Sequence, residues 1–222
     1  MEKSLTSFQL ASMIDHTNLK NTATRKDIEQ LCNEAKKYKF ASVCVNPIHV
    51  EFAATLLKDS DVKVCTVVGF PLGASSYESK CFETEVAIKH GADEIDMVID
   101  IGAVLENRFE DVKKDICGVV NSAKDKIVKV ILEVCCLTDE QIEKSCKIVM
   151  DSGAAFVKTS TGFSTSGATT HSVALMRKTV GNKIGVKAAG GIKCTADALA
   201  MIAAGANRLG CSAGVKIMAE YT

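Results

Sequence analysis

The sequence predicts a single α/β domain of the (β/α)8 TIM-barrel type over residues 1–222. Three observations lead there. Short β-rich runs alternate with helix-period segments along the whole chain, which argues for a parallel sheet covered by helices. Eight such units can be counted, whereas an open doubly wound sheet typically has about six strands. No G-x-G-x-x-G follows the first strand, so a dinucleotide-binding sheet has little support.

The first strand is expected over residues 13–17. Behind it Thr24 and Asp27 form a capping pair, and Ile28, Leu31, Cys32 and Ala35 recur at helical spacing. Residues 42–45 make the second strand, and Asn46-Pro47 then opens a helix, because proline suits a first turn. Strands three and four cover residues 63–68 and 94–99. Phe109, Val112, Ile116, Val119 and Ala123 mark one helical stripe, followed by strand five at residues 127–133. Thr138 with Gln141 caps a helix that carries Ile142, Cys146 and Val149. The last three strands fall at residues 155–159, 185–188 and 207–210. A Gly-Ala pair recurs at Gly91, Gly153 and Gly205, each time between a helix and a strand, where glycine supplies the left-handed turn. No linker or composition break divides the chain.

Bulk properties narrow the function classes. Lysine plus arginine and aspartate plus glutamate number 27 each, so no net field favours nucleic acid or an anionic membrane. No stretch approaches the length of a membrane span. Ten cysteines include no C-x-x-C pair, and the four histidines are scattered, so a structural zinc site is not expected. Cys44 and Cys65 sit in apolar runs as small hydrophobes. A reducing, cytoplasmic setting fits such thiols.

In a closed barrel, function gathers at the C-terminal ends of the strands. Lys158 and Lys187 stand at equivalent places near the ends of consecutive strands, each just before a glycine-containing loop. Neighbouring strands lie about 4.8 Å apart, so two inward lysines at one height are close. An ordinary lysine, with a pKa of about 10.4, leaves roughly one amine in 2,500 uncharged at neutrality. A nearby cation and partial desolvation both disfavour the ammonium form. That arrangement suits an amine that condenses with an aldehyde. Lys63 and Lys129 precede most of their strands and are read as lying towards the opposite face. In residues 94–100 the alternation puts Asp96, Val98 and Asp100 on one face, so Asp96 or Asp100 is the proton-relay candidate. Gly190-Gly191 and Gly210 with Ser212 end the last two strands, where barrels often bind phosphate.

Several segments together resemble the deoxyribose-phosphate aldolase family over nearly the whole chain. They are Ile14-Asp15-His16-Thr17, Val43-Cys44-Val45-Asn46-Pro47, Gly69-Phe70-Pro71-Leu72-Gly73, the run from Ala92 to Val98, and the run from Val157 to Phe163, with the Lys187 and Gly210 segments. The resemblance implies a cofactor-free, metal-free class I aldolase that cleaves 2-deoxy-D-ribose 5-phosphate to D-glyceraldehyde 3-phosphate and acetaldehyde in deoxyribonucleoside breakdown. It implies Lys158 as the Schiff-base lysine, Lys187 as the lysine that tunes it, and Asp96 as the acid/base carboxylate. Asp15, Thr17, Thr161 and Gly162 are expected to line the substrate site, with Gly190, Gly191, Gly210 and Ser212 around the phosphate. A homodimer or homotetramer is the family habit.

The chain departs from that pattern at Asp100, where Asn is expected, at Ala189, and at Cys211 and Ala213, which remove hydroxyl donors. The extra charge of Asp100 is expected to bear on the two lysines. Competing readings are another Schiff-base barrel acting on ketose phosphates, and a catalytically silent sugar-phosphate sensor on the same fold. Tyr221 is read as part of a frayed end or a tail that reaches the pocket.

Overall fold

The computed structural model describes residues 5–221. Its strands are β1 (Ile14–Asn18), β2 (Ser42–Val45), β3 (Lys63–Val68), β4 (Glu94–Val98), β5 (Ile127–Ile131), β6 (Phe156–Lys158), β7 (Gly185–Ala189) and β8 (Arg208–Cys211). Each pairs in parallel with its sequence neighbour, and β8 pairs with β1 to close the barrel. Between and around them run α1 (Ser7–Ala11), α2 (Arg25–Tyr38), α3 (Val50–Leu57), α4 (Tyr77–Lys89), α5 (Ile101–Leu105) and α6 (Phe109–Ala123). α7 (Asp139–Asp151), α8 (Thr170–Val180), α9 (Thr195–Ala203) and α10 (Gly214–Glu220) complete the set. The predicted barrel is the observed one.

Local chemistry explains most boundaries. α2 and α7 begin on the expected capping boxes, Thr24 with Asp27 and Thr138 with Gln141. Pro47 opens a 3-10 turn, and α3 follows directly from it. Gly91, Gly153 and Gly205 all take positive φ, as the Gly-Ala repeat implies. The largest boundary error is at β5, which ends at Ile131 instead of 133. There Glu133 turns the chain in a left-handed conformation.

Two packing zones result from strand alternation. Val43, Val45, Val64, Ile95, Met97, Val128, Val130, Val157, Val186 and Leu209 point outward into one continuous apolar shell shared with the helices. Full burial of each such side chain is worth about 1.5–3 kcal/mol. The alternate positions point inward, and there the character changes. Asp15, Glu94, Asp96, Lys129 and Lys187 are all at most 2% exposed in the barrel interior. Leu19, Cys44, Cys65 and Val67 form the small apolar patch beside them.

One expectation holds only in part. Lys63, at the start of β3, is exposed. Lys129, third in β5, lies two residues nearer the opposite face than Lys158, but it is fully buried inside the barrel and reaches Asp96. It shares the inward face with Ile131, because only its outward neighbours Val128 and Val130 join the shell.

Candidate active site

Lys158 and Lys187 face each other in register on β6 and β7. Lys158 Nζ donates to Asp96 Oδ2 at 2.8 Å, and Lys187 Nζ donates to the same oxygen at 2.6 Å. On the other carboxylate oxygen, Asp96 Oδ1 accepts from Lys129 Nζ at 2.9 Å and from the Cys65 thiol at 3.3 Å. Burial alone would raise the Asp96 carboxyl; Lys129, Lys158 and Lys187 overcome it and hold Asp96 well below the usual carboxylate range. Burial likewise works against the Lys187 ammonium, but Asp15 and Asp96 keep it charged to higher pH than an ordinary lysine.

Asp15 lies beneath this trio. Its Oδ2 is 2.5 Å from Lys187 Nζ, and its Oδ1 accepts from Arg208 Nη1 at 2.8 Å. Asp15 is fully buried and takes no part in the cleft wall, so it supports Lys187 where a lining role was expected. The Asp15 Oδ2 and Glu94 Oε2 contacts to lysine are close ion pairs that lack hydrogen-bond geometry.

Above the lysines opens a cleft of about 620 Å³ at the C-terminal ends of the strands, a size suited to a small ligand. Lys158 is at its floor. Thr17, Thr161, Gly162, Gly190, Gly191, Gly210 and Ser212 line it, so every remaining predicted site residue except Lys187, Asp96 and Asp15 reaches the surface of one cavity. Lys20 and Lys193 add positive charge at the rim, and His16 bonds to Glu34 there at 2.7 Å. Ala189 and Cys211 also line the cleft. Burial pushes the Cys211 thiol up to about 12, so it is an uncharged group there.

Two glycines have specific reasons. A Cβ on Gly210 would stand 3.0 Å from Lys187 Cε and 3.1 Å from Ala189 Cβ, so this position leaves room for the lysine. Gly190, at φ +85°, lets the backbone of residues 162–168 pass close by, with a built Cβ only 2.9 Å from Gly167 Cα.

Asp96 and Asp100, which period two could not separate, are separated by the structure. Asp100 caps α5 by accepting from Ala103 N at 3.0 Å. Its charge faces its own helix and neighbouring Asp115. Tyr221 neither frays nor reaches the cleft: its hydroxyl donates to Leu5 O at 2.5 Å.

No role was expected for Glu94, Arg208 or Glu133, and Lys129 was read as lying away from the site. Glu133 accepts from both the backbone N–H and the hydroxyl of Thr161, fixing the loop after β6. The missed signal for Glu94 was available, since it shares the parity of Asp96 on β4. Among the described residues, Cys44, Cys65 and Asp96 have metal-ligand spacing. Three lysine amines already crowd that carboxylate, and the charge of Lys129 and Lys187 opposes a cation. The arrangement as a whole can present an amine, a shared proton acceptor and a fixed cation to a polar carbonyl ligand.

Known proteins match this chain along its length. The sequence pattern described as DeoC/LacD family aldolase matches residues 9–220. The deoxyribose-phosphate aldolase of Carboxydothermus hydrogenoformans is 57% identical over 218 residues, covering 96% of each chain. That of Caldicellulosiruptor saccharolyticus is also 57% identical, covering 97% of this chain and all of its own. In three dimensions the tetrameric deoxyribose phosphate aldolase of Aeropyrum pernix superposes with a TM-score of 0.91 at 34% identity, covering 97% of this chain and 92% of its own. Its buried lysines, its cleft and these likenesses lead to one conclusion: the chain belongs to the DeoC/LacD family of aldolases.

Proposed function

We propose that the chain cleaves 2-deoxy-D-ribose 5-phosphate reversibly into D-glyceraldehyde 3-phosphate and acetaldehyde, through a Schiff base on Lys158. The observation that carries this reading is the sharing of one Asp96 oxygen by Lys158 and Lys187 at the floor of the cleft. An uncharged Lys158 amine adds to the sugar aldehyde, and loss of water gives an iminium. Cleavage of the C2–C3 bond sends its electron pair to the iminium nitrogen, while the C3 hydroxyl gives up its proton and leaves as the aldehyde of glyceraldehyde 3-phosphate. The remaining enamine takes a proton on carbon, and water then releases acetaldehyde and the free amine.

Asp96 contacts both amines, so it is placed to pass protons between the carbinolamine and Lys187. Lys187 is a cation again once the proton it lends has been returned through Asp96. Thr17, Thr161 and Gly162 contact the sugar, and Gly190, Gly191, Gly210 and Ser212 surround the phosphate, with Lys193 at the rim offsetting its charge. A role in deoxyribonucleoside breakdown follows from that substrate. A cytoplasmic setting is supported by ten cysteines that all stand as free thiols. None of the described helices is long and apolar enough to cross a membrane. The homo-oligomer is supported by the tetramer of the Aeropyrum pernix relative.

Borohydride reduction with deoxyribose 5-phosphate present should leave a stable adduct on Lys158, located by peptide mass mapping. An adduct confined to other lysines overturns the mechanism. Faster turnover of ketose phosphates overturns the substrate. Binding without acetaldehyde release points to a sensor instead.

A further inference from the structure

The barrel interior carries more charge than the reacting groups require. Beneath Lys158 and Lys187 lies a second tier made by Arg208 on β8, Glu94 on β4 and Lys129 on β5. Arg208 donates through Nη1 to Asp15 at 2.8 Å and through Nη2 to Glu94 Oε1 at 3.2 Å, so it bridges β1 to β4 across the barrel. Its guanidinium also lies 5.5 Å from the centre of the Phe156 ring on β6. Lys129 meets Glu94 at 2.6 Å and Asp96 at 2.9 Å. None of these three lines the cleft.

Counting the charges makes the tier informative. The interior holds three carboxylates, Asp15, Glu94 and Asp96, against four basic groups, Lys129, Lys158, Lys187 and Arg208. Burying charge at low dielectric is costly unless it is balanced, and these seven groups balance only when one basic group is uncharged. Arginine does not give up its proton. Lys129 touches three carboxylates and Lys187 two, whereas Lys158 touches one and faces the cleft. The remaining titratable neighbours are the thiols of Cys65 on β3, 3.4 Å from Lys129, of Cys44 on β2, and of Cys211 on β8, which senses Asp15 and Lys187.

We propose that Arg208 and Glu94 are positioning residues with opposite electrostatic effects, which set from the lower tier the net charge under the reacting amine and so leave Lys158 as the uncharged one. The proposal rests on the Schiff-base reading and adds residues that touch no substrate.

The test is the pH profile of kcat/KM for deoxyribose 5-phosphate cleavage in Arg208→Met, Glu94→Gln and the double variant. Losing the cation should move the acid limb to higher pH, and losing the carboxylate should move it to lower pH. Each shift should be roughly one pH unit, the effect of one charge about 10 Å away at an effective dielectric of about 20. The double variant restores the charge balance and should return towards wild type, as should Arg208→Lys, with KM little changed throughout. Limbs that stay put or move in the same direction in both single variants overturn the proposal, leaving only structural support. If Arg208→Met does not fold, isosteric Glu94→Gln carries the test alone, and an unmoved or raised limb overturns it. Borohydride trapping run in parallel separates the two readings. Absence of the Lys158 adduct in wild type sinks the Schiff base itself, while a normal adduct with unmoved limbs sinks only the role of the lower tier.

Discussion

The protein buries lysine–carboxylate contacts in two places, and they differ in kind. Between α4 and α6, outside the barrel, Lys80 is fully buried against Asp115 at 2.5 Å and donates to Val98 O at 3.0 Å. Inside the barrel, Lys187 and Lys158 meet a carboxylate that other cations also share. Lys80 has one acid, one carbonyl and no route to the cleft. It clasps the end of β4 to α6, and a closed pair of this kind is a structural device. Lys158 has the same sort of partner but one side open to a cavity. Burial of a lysine therefore does not mark function; burial with an incompletely matched charge beside a cleft does.

Exchanging the two lysines for methionine should break the comparison most sharply. Lys158→Met should lower kcat by at least about a thousandfold with little loss of stability, because Asp96 keeps two ammonium partners. Lys80→Met should do the reverse. It strands buried Asp115, so unfolding free energy measured in urea should fall by about 3–5 kcal/mol, while kcat of the folded fraction changes far less. Equal activity losses in both variants would mean that the two pairs do the same job.

The two sites should also answer pH with opposite signs. Burial favours protonated Asp15, yet Lys187, Lys129 and Arg208 hold it below the ordinary value. Between that depressed value and the unfolded value of about 3.9, only the unfolded chain binds the proton, so stability rises with pH. The gain is complete above the unfolded value and is lost as pH falls through the folded one. Asp115 is raised by burial despite Lys80, so above the unfolded value the folded state keeps a proton that the unfolded chain has lost, and stability falls with pH. Urea unfolding of Asp15→Asn and Asp115→Asn across the acid range should remove the rise in the first and the fall in the second. Slopes altered in the same direction would refute this contrast.

Smaller effects sharpen the picture at the rim. Thr161→Val removes one of the two donors to buried Glu133, a cost of about 1–2 kcal/mol. It should appear as about a tenfold rise in KM for deoxyribose 5-phosphate, and an unchanged KM would remove Thr161 from the binding loop. Asp100→Asn should matter least, because asparagine caps a helix as aspartate does. Stability should stay within about 0.5 kcal/mol and the pH profile of activity should not move. A moved profile would show that Asp100 acts on the lysines after all.

The legibility of the molecule follows the range of the forces involved. α2, α6 and α7 could be read because each places an apolar stripe against the barrel. α4 could not, since its buried face consists of Lys80, Thr84 and Ala87; Thr84 bonds back to Lys80 O within the helix, but Lys80 itself is satisfied only by Val98 O and Asp115, far along the chain. Glu133 escaped because its left-handed turn looks like the end of an apolar strand. Lys129 was read only by its height near the start of β5; its link to the site comes from carboxylates on β1 and β4 that meet it in the interior.

By itself the sequence determined the eight alternating units, the single domain and the two lysines at matching strand ends, because periodicity and turn chemistry act over a few residues. Closure of the barrel decided the rest. It brings β1 beside β8 so that Asp15 meets Arg208 and Lys187, and it brings Arg208 across to Glu94, 114 positions away in the chain. Which charges balance which is a property of distances through the interior, and those exist only once the sheet has closed on itself.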